Sequence, residues 1–187
     1  MTVSADDIQY MRAASSSGCF FSAATTATTP TSASASLTGF STLGYVSVDG
    51  LKMKVGNEEV SLEDWTGDEV LRYVSKQTVE FTLTPLCFTD ENALKERFGA
   101  SNVTVSGGVV TGFTVEQVDL PNKQYVFDMA TRQGGKCRIV VPNGKLGGDA
   151  EYNFDPKNPT AAEWTIAAFP DSSQVKAYVY FAAPASS

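Results

Sequence analysis

Through much of the chain apolar residues fall on every second position. Val79, Phe81 and Leu83 alternate with Thr78, Glu80, Thr82 and Thr84, the period-2 pattern of a strand with one buried face. Tyr125, Phe127 and Met129 alternate with Gln124, Val126 and Asp128, and Cys137, Ile139 and Val141 alternate with Lys136, Arg138 and Val140. Val175, Ala177, Val179 and Phe181 alternate with Lys176, Tyr178 and Tyr180. A further strand is expected within Val109–Val118, entered through Ser106-Gly107-Gly108. Turn signals at Asn122, Gly134-Gly135, Pro142-Asn143-Gly144, Gly147-Gly148, Pro156 to Pro159 and Pro170-Asp171 separate the runs, at intervals typical of a sandwich or barrel. Asp49-Gly50, between Val46–Val48 and Leu51–Val55, predicts a tight hairpin turn, because glycine accepts the positive φ such a turn needs.

One segment has helical character. Asp90 is placed to cap it, Glu91 suits the positive end of the helix dipole, and Ala93–Phe98 follow, with Gly99 at the natural stop. Leu94 and Phe98 sit one turn apart and are expected to press on a sheet. About two turns of helix must be held by packing, not by propensity. The pattern therefore predicts an all-β fold, a β-sandwich or barrel, with one short helix on its flank.

The first 36 residues read differently. Residues 1–17 are polar, with a weakly helical patch around Ile8, Tyr10 and Met11, and Gly18–Phe21 is a short strand candidate. Ser22–Ser36 is a low-complexity run of Ser, Thr and Ala without the bulk to form a core. Two readings stand for it, an extended arm and a flexible tail. The expected division is an N-terminal arm over 1–36 and a β-domain over 37–187.

Composition narrows the chemistry. The 187 residues are 42% hydrophobic and 11% aromatic, a globular mixture, and the net charge is −7, which argues against high-affinity binding to nucleic-acid phosphates. There is no histidine, so Ser-His-Asp and Cys-His catalysis, histidine metal sites and histidine pH switches are excluded. Cys19, Cys87 and Cys137 are odd in number and far apart, as buried free thiols in a reducing compartment would be. The N-terminus has no cationic start or apolar h-region and no uncharged run is long enough to span a bilayer, so a soluble protein without a membrane partner is expected.

Catalytic groupings are poor. Glu58-Glu59, Glu63-Asp64 and Asp68-Glu69 form the densest acidic stretch, and Asp149 and Glu151 lie beside Gly147-Gly148. Neither has the ligand spacing of a calcium loop, and surface charge explains both. Gly107-Gly108 and Gly134-Gly135 lack the following helix and lysine of a phosphate loop. Trp65, Trp164 and seven tyrosines offer either a sugar-stacking surface or core packing. No enzyme activity, metal or cofactor is expected.

The order of these elements resembles a known family. Leu43-Gly44-Tyr45, Ser47-Val48-Asp49-Gly50, Trp65-Thr66-Gly67, the strand Lys76–Leu83 and the helix Ala93–Gly99 are similar, in sequence order and spacing, to the core of the major tail proteins (tail tube proteins) of long-tailed non-contractile bacteriophages. Cys137–Leu146 and Trp164–Phe181 resemble that family's strand-turn and closing strands; Thr26 to Pro30 matches its N-terminal segment more loosely.

The resemblance implies a β-sandwich whose subunits close into rings, usually sixfold, stacked as a tube around a tape-measure protein. It implies tail-tip or baseplate and tail terminator proteins as further partners, and DNA passing through without specific binding. The protein would act in the virion tail after assembly in the host cytoplasm. A sixfold ring would carry 6 × −7 = −42 formal charges, and acids facing the lumen would repel DNA from the wall; Glu58, Glu59 and Glu80 are the candidates, with surface solubility as the alternative. Val60–Val74 resembles the loop by which such subunits touch neighbours, making Tyr45, Asp49, Gly50, Trp65 and Asp68 the candidate interface; for Trp65 a core position is the alternative. The rival classes are a β-sandwich adhesin or carbohydrate-binding surface module, the tube subunit of a contractile machine, and a jelly-roll hydrolase.

Overall fold

The computed structural model describes residues 8–15 and 18–184 of the chain. Its strands are β1 (Met11–Ala13), β2 (Phe20–Ala24), β3 (Ser41–Thr42), β4 (Lys52–Glu63), β5 (Glu69–Leu83), β6 (Val103–Ser106), β7 (Val109–Phe113), β8 (Lys123–Thr131), β9 (Lys136–Gly147), β10 (Trp164–Ala168) and β11 (Tyr178–Ala182), with helix α1 (Glu91–Phe98) between β5 and β6. Nine strands form one sheet in the order β3-β2-β8-β9-β10-β5-β4, with β1 also on β8 and β11 also on β9; β6 and β7 form a separate hairpin. The fold is all-β with one short helix, as the alternation predicts.

The sheet curls on itself. Phe81 of β5 and Phe127 of β8 stand three strands apart in the sheet, yet their ring centroids are 5.6 Å apart, and Phe20 of β2 meets Trp164 of β10 at 6.2 Å. Three strand spacings on a flat sheet would be about 14 Å. Rolling brings the inward residues of five strands into one core: Phe20, Val79, Phe81, Leu83, Tyr125, Phe127, Ile139, Val141, Leu146, Trp164 and Ile166.

Helix α1 closes one flank. Asp90 Oδ1 accepts from the Ala93 amide at 2.9 Å, and Gly99 takes φ 90° at the C-terminal end, so both caps match expectation. Leu94 is buried, but Phe98 stacks on Phe113 of β7 at 4.6 Å instead of on the main sheet. The helix is tied down by buried Glu96, which the sequence reading did not single out. Its carboxylate accepts from Ser22 Oγ (2.9 Å), Tyr125 Oη (2.8 Å) and Lys123 Nζ (2.7 Å); burial, then the Glu96 charge, push the Tyr125 phenol well above its ordinary pKa.

Near the N-terminus the structure departs from the sequence expectation. The patch around Met11 is not helical: Met11–Ala13 pairs with Met129–Thr131 of β8. Phe20 is fully buried, and Ser22–Ser36 lies against the body. The second face of β8 and β9, which alternation would leave to solvent, carries Gln124, Val126, Arg138 and Val140, all buried. Gln124 Nε2 donates to the carbonyls of Ala27 (2.6 Å) and Thr25 (3.3 Å), and Arg138 Nη1 to those of Ala35 (2.6 Å) and Ser32 (3.3 Å). Small residues suit this position because the tract can lie flat on the sheet, and its carbonyls meet two buried donors.

The last strand also differs. It runs Tyr178–Ala182, and Val179 and Phe181, expected on a buried face, are exposed, while Tyr178, Tyr180 and Ala182 are half-buried on the other face. β11 pairs with the Lys136–Val140 end of β9, at the margin of the rolled core. Val109–Val118 shortens to β7, paired with β6 across the Gly107-Gly108 turn.

Arg138 is the test of the covering tract. Its guanidinium also makes a bidentate pair with Asp128, 2.5 and 2.7 Å. Arg138→Ala strands a mostly buried carboxylate and the Ala35 carbonyl, and should cost about 3–5 kcal/mol in urea unfolding. Amide exchange across residues 30–36 should quicken. Unchanged exchange there would mean the tract is held by something else.

Candidate assembly surface

β4 and β5 leave the body as a two-stranded ribbon. At about 3.3 Å per residue, Lys52 to Glu63 reaches roughly 36 Å. From Lys52 to Gln77 nearly every residue is exposed, and only the β5 segment from Val79 onward enters the core. The ribbon holds its acids in cross-strand pairs. Glu58 meets Lys76 at 3.1 Å, Glu59 meets Arg72 at 3.2 Å and Glu80 meets Lys54 at 3.9 Å. The three candidate lumen acids therefore each have a basic neighbour that offsets their charge locally.

The apolar side chains change face partway along. Near the body Met53 and Val55 stand opposite Phe81 and Val79, on the core side. Between Glu58 and Glu59 the register slips, because Lys76 opposes Glu58 while Val74 opposes Glu59. Ser75 is the extra residue, its hydroxyl donating to the Glu58 carbonyl at 3.0 Å. One inserted residue turns the rest of β5 over. Beyond it Val60 faces Tyr73 and Leu62 faces Leu71. Alternation along β4 puts Val60 and Leu62 on the opposite side from Met53 and Val55. The outer half of the ribbon thus has a stripe of Val60, Leu62, Leu71 and Tyr73, each roughly half exposed. Its other side carries Glu59, Ser61 and Arg72, with Val74 and, by alternation from Leu71, Val70 as apolar exceptions. This stripe points away from the molecule's own core. The sequence reading missed it, although the signal is present: apolar positions on β4 shift from odd (Met53, Val55) to even (Val60, Leu62).

The ribbon ends in the turn Asp64–Asp68. Asp64 N donates to the Asp68 carbonyl at 2.9 Å. The Asp64 carboxylate accepts from Thr66 N (2.8 Å), Thr66 Oγ1 (2.6 Å) and Asp68 N (3.1 Å). Trp65 projects from this turn with a relative exposure of 103%, so it is not a core tryptophan; Trp164, at 4%, is. Four acids, Glu63, Asp64, Asp68 and Glu69, surround it.

Asp49-Gly50 is not a hairpin turn. Ser47 N donates to Thr84 O and Leu86 N to Tyr45 O, while Lys52 pairs with Thr82. The chain before and after the turn pairs with the same partner in the same direction. Ser47–Gly50 is a looped-out interruption of one edge, closed by Gly50 N donating to Ser47 O at 2.9 Å with Gly50 at φ 71°. An Asp-Gly pair specifies the local turn, but not which strand the chain pairs with afterwards. The preceding Gly44, at φ 85°, is required by contact: a Cβ there would lie 2.6 Å from Cys87 Sγ.

This turn and β1 border a groove of about 240 Å³. Leu83, Phe127 and Met129 line it together with Met11, Arg12 and Val48. The five candidate interface residues thus divide into two sets. Tyr45, Asp49 and Gly50 lie at the base of the ribbon, and Trp65 and Asp68 at its tip. Among the described residues no cluster of three or more Cys, Asp or Glu is placed to hold a metal ion, and no helix is long and apolar enough to cross a membrane.

No protein-family model and no curated protein sequence matches the chain. The solved structures that overlap it include two at low identity. One is the tube-terminating cap of an anti-feeding prophage, with TM-score 0.45 and 13% identity over 71% of this chain and 79% of that one. The other is a sheath–tube complex of an extracellular contractile injection system in the extended state, with TM-score 0.45 and 9% identity over 97% of this chain and all of that one.

The tip turn carries its own pH signature. The Thr66 hydroxyl first, then the Asp68 and Thr66 amides, hold the Asp64 carboxyl below its ordinary value of 3.8. A depressed pKa means the turn's hydrogen bonds are complete above that value and lost as pH falls through the lower folded one. Thr66 and Asp68 amide shifts should therefore titrate with a midpoint under 3.8. A midpoint at or above it would show that the carboxylate does not hold the turn.

Proposed function

We propose that this chain is a structural tail protein that polymerises with copies of itself into stacked, sixfold rings forming a tail tube. The observation that carries this reading is the ribbon stripe of Val60, Leu62, Leu71 and Tyr73, apolar, projecting and turned from its own core. A protein that stayed monomeric would gain nothing from displaying it. Open strand edges support the same reading. Among the described residues, the segment β1-β8-β9-β11 has an unpaired strand edge on each side, at β1 and at β11, so neighbours can extend it edge to edge until a ring closes and no edge is left.

Magnitudes favour many weak contacts over one strong one. Completing the burial of four half-exposed side chains yields about 1 kcal/mol each, while association costs roughly 4–15 kcal/mol. The stripe by itself cannot hold a dimer. A subunit that places its ribbon and both edges at once can be held, so assembly is cooperative and the free subunit rests as a monomer until assembly begins.

On this reading the tube belongs to a long-tailed phage of the non-contractile kind, surrounds a tape-measure protein and carries DNA through without specific contacts. Tail-tip and terminator proteins cap its ends, and it performs no catalysis. The adhesin reading has one feature in its favour, the solvent-exposed Trp65.

Negative-stain electron microscopy and light scattering over a concentration series should show rings or hollow tubes of uniform width. Leu62→Glu with Leu71→Glu should abolish them, while urea stability of the body stays within about 0.5 kcal/mol because both sites are exposed. A double variant that assembles like the parent would remove the ribbon stripe from the interface. A parent that binds glycans and never self-associates would favour the adhesin.

A further inference from the structure

The ribbon tip and the groove at the ribbon base are complementary and cannot meet within one chain. The tip is a fully exposed tryptophan among four acids. Asp64 is engaged in its turn and Glu69 in its pair with Arg72, which leaves Glu63 and Asp68, the latter held only by a 3.4 Å contact from Thr66 Oγ1, as the carboxylates best able to meet a partner. The groove has an apolar lining of Leu83, Phe127, Met129 and Met11, with Arg12 also bordering it.

Positive charge gathers at this end of the molecule. Arg12 opposes Ala130, which opposes Lys136, so the two bases lie two strands apart in one register row. Arg132 follows directly, its amide donating to the Tyr10 carbonyl at 3.1 Å. All three bases are exposed, and none of them is in an ion pair with the described residues. Within 8–15, 129–137 and 178–184 there is no acid. The one acid on the groove, Asp49, accepts a hydrogen bond from Ser47 Oγ at 2.9 Å.

The ribbon begins at Lys52, next to the groove, and ends roughly 36 Å away. We infer that Trp65 of one copy docks in the groove between β1 and the Ser47–Gly50 turn of a second copy, with Glu63 and Asp68 against its Arg12, which borders the groove, and with Arg132 adding to the positive field nearby. This rests on the self-assembly reading above and names the acceptor for the ribbon. The contact is head-to-tail: each copy offers a tip at one end and a groove at the other, so the chain of contacts does not close on a pair and propagates. Successive copies are displaced by about one ribbon length. Arginine beside an indole adds attraction through the ring face, and the charges steer the encounter and make it salt-sensitive.

The test uses two full-length variants, both retaining Asp6 and Asp7, which lie outside the described residues. The tip variant carries Trp65→Ala, Glu63→Lys and Asp68→Lys. The groove-side variant carries Arg12→Glu and Arg132→Glu. Every site is exposed, and unchanged thermal melting confirms that each variant folds. Particle mass is followed by analytical ultracentrifugation alongside the parent.

Each variant alone should stop at the first assembly unit, monomer or ring, over at least a tenfold concentration range in which the parent grows. Mixed one to one, the groove of the tip variant can still receive the tip of the groove-side variant. The mixture should therefore double in mass and grow no further. If the parent grows and the groove-side variant grows equally well, the acceptor is elsewhere, while self-assembly stands. A mixture that does not double would likewise overturn the docking. If the parent never exceeds monomer mass, self-assembly and docking fall together.

Discussion

A two-stranded ribbon cannot bury its own side chains, and that constraint governs everything that projects from the body of this molecule. In the rolled body each inward residue meets others across the barrel, as Phe81 meets Phe127. On the ribbon beyond Gln77 there is no second layer. Apolar residues there pack only against their cross-strand partner, which leaves Leu62 and Tyr73 about half exposed. The extra residue Ser75 then decides which way this surface points. With unbroken register Leu71 and Tyr73 would stay on the core side, apart from Val60 and Leu62; with the bulge all four share the outward face, where only another molecule can reach them.

The body solves the opposite problem. Strands β8 and β9 are buried on both faces although only one faces the aromatic core. The second layer is a strip of serine, threonine and alanine, held mainly by polar contacts. Gln124 and Arg138 reach out of the sheet and bind four of its carbonyls. Such a layer is thin and depends on few donors, so its stability follows from Arg138 and Asp128 remaining paired. Glu96 plays a similar part for the helix, gathering a hydroxyl from β2 and a phenol and an ammonium from β8 at one carboxylate. In both places a buried charge with all its partners joins segments far apart in sequence.

These two features also explain how the surface chemistry is distributed. Ion pairs line the ribbon because cross-strand neighbours of opposite sign lie at close distance there, as with Glu58 and Lys76. The tip is different: Glu63 stands opposite Glu69, and excess negative charge collects around Trp65. The other end of the molecule, at β1 and the 131–135 turn, carries the bases. Opposite charges at opposite ends, joined by a strand-long ribbon, favour repetition of one contact over pairing of two copies face to face.

Local chemistry in the sequence was enough for the elements whose partners are near or whose pattern is repetitive. Val79-Phe81-Leu83 had to be a half-buried strand, and Asp90 to Gly99 a capped two-turn helix, because alternation and capping act within a few residues. The histidine-free composition likewise limited the catalytic chemistry without reference to any fold. The sequence did not determine what lies across from each element. The alternation of Val175–Phe181 suggested a buried face, but β11 lies at the margin of the core and exposes Val179 and Phe181. Asp49-Gly50 suggested a hairpin, but the chain rejoins the same partner strand. The Ser22–Ser36 tract gave no apolar signal, yet it covers a sheet face through donors about a hundred residues away. Trp65 and Trp164 are the same residue type in a β-rich chain, and only the tertiary structure makes one a projecting tip and the other core. Burial depends on the second layer, and the second layer is assembled from residues distant in sequence, where local periodicity carries no information.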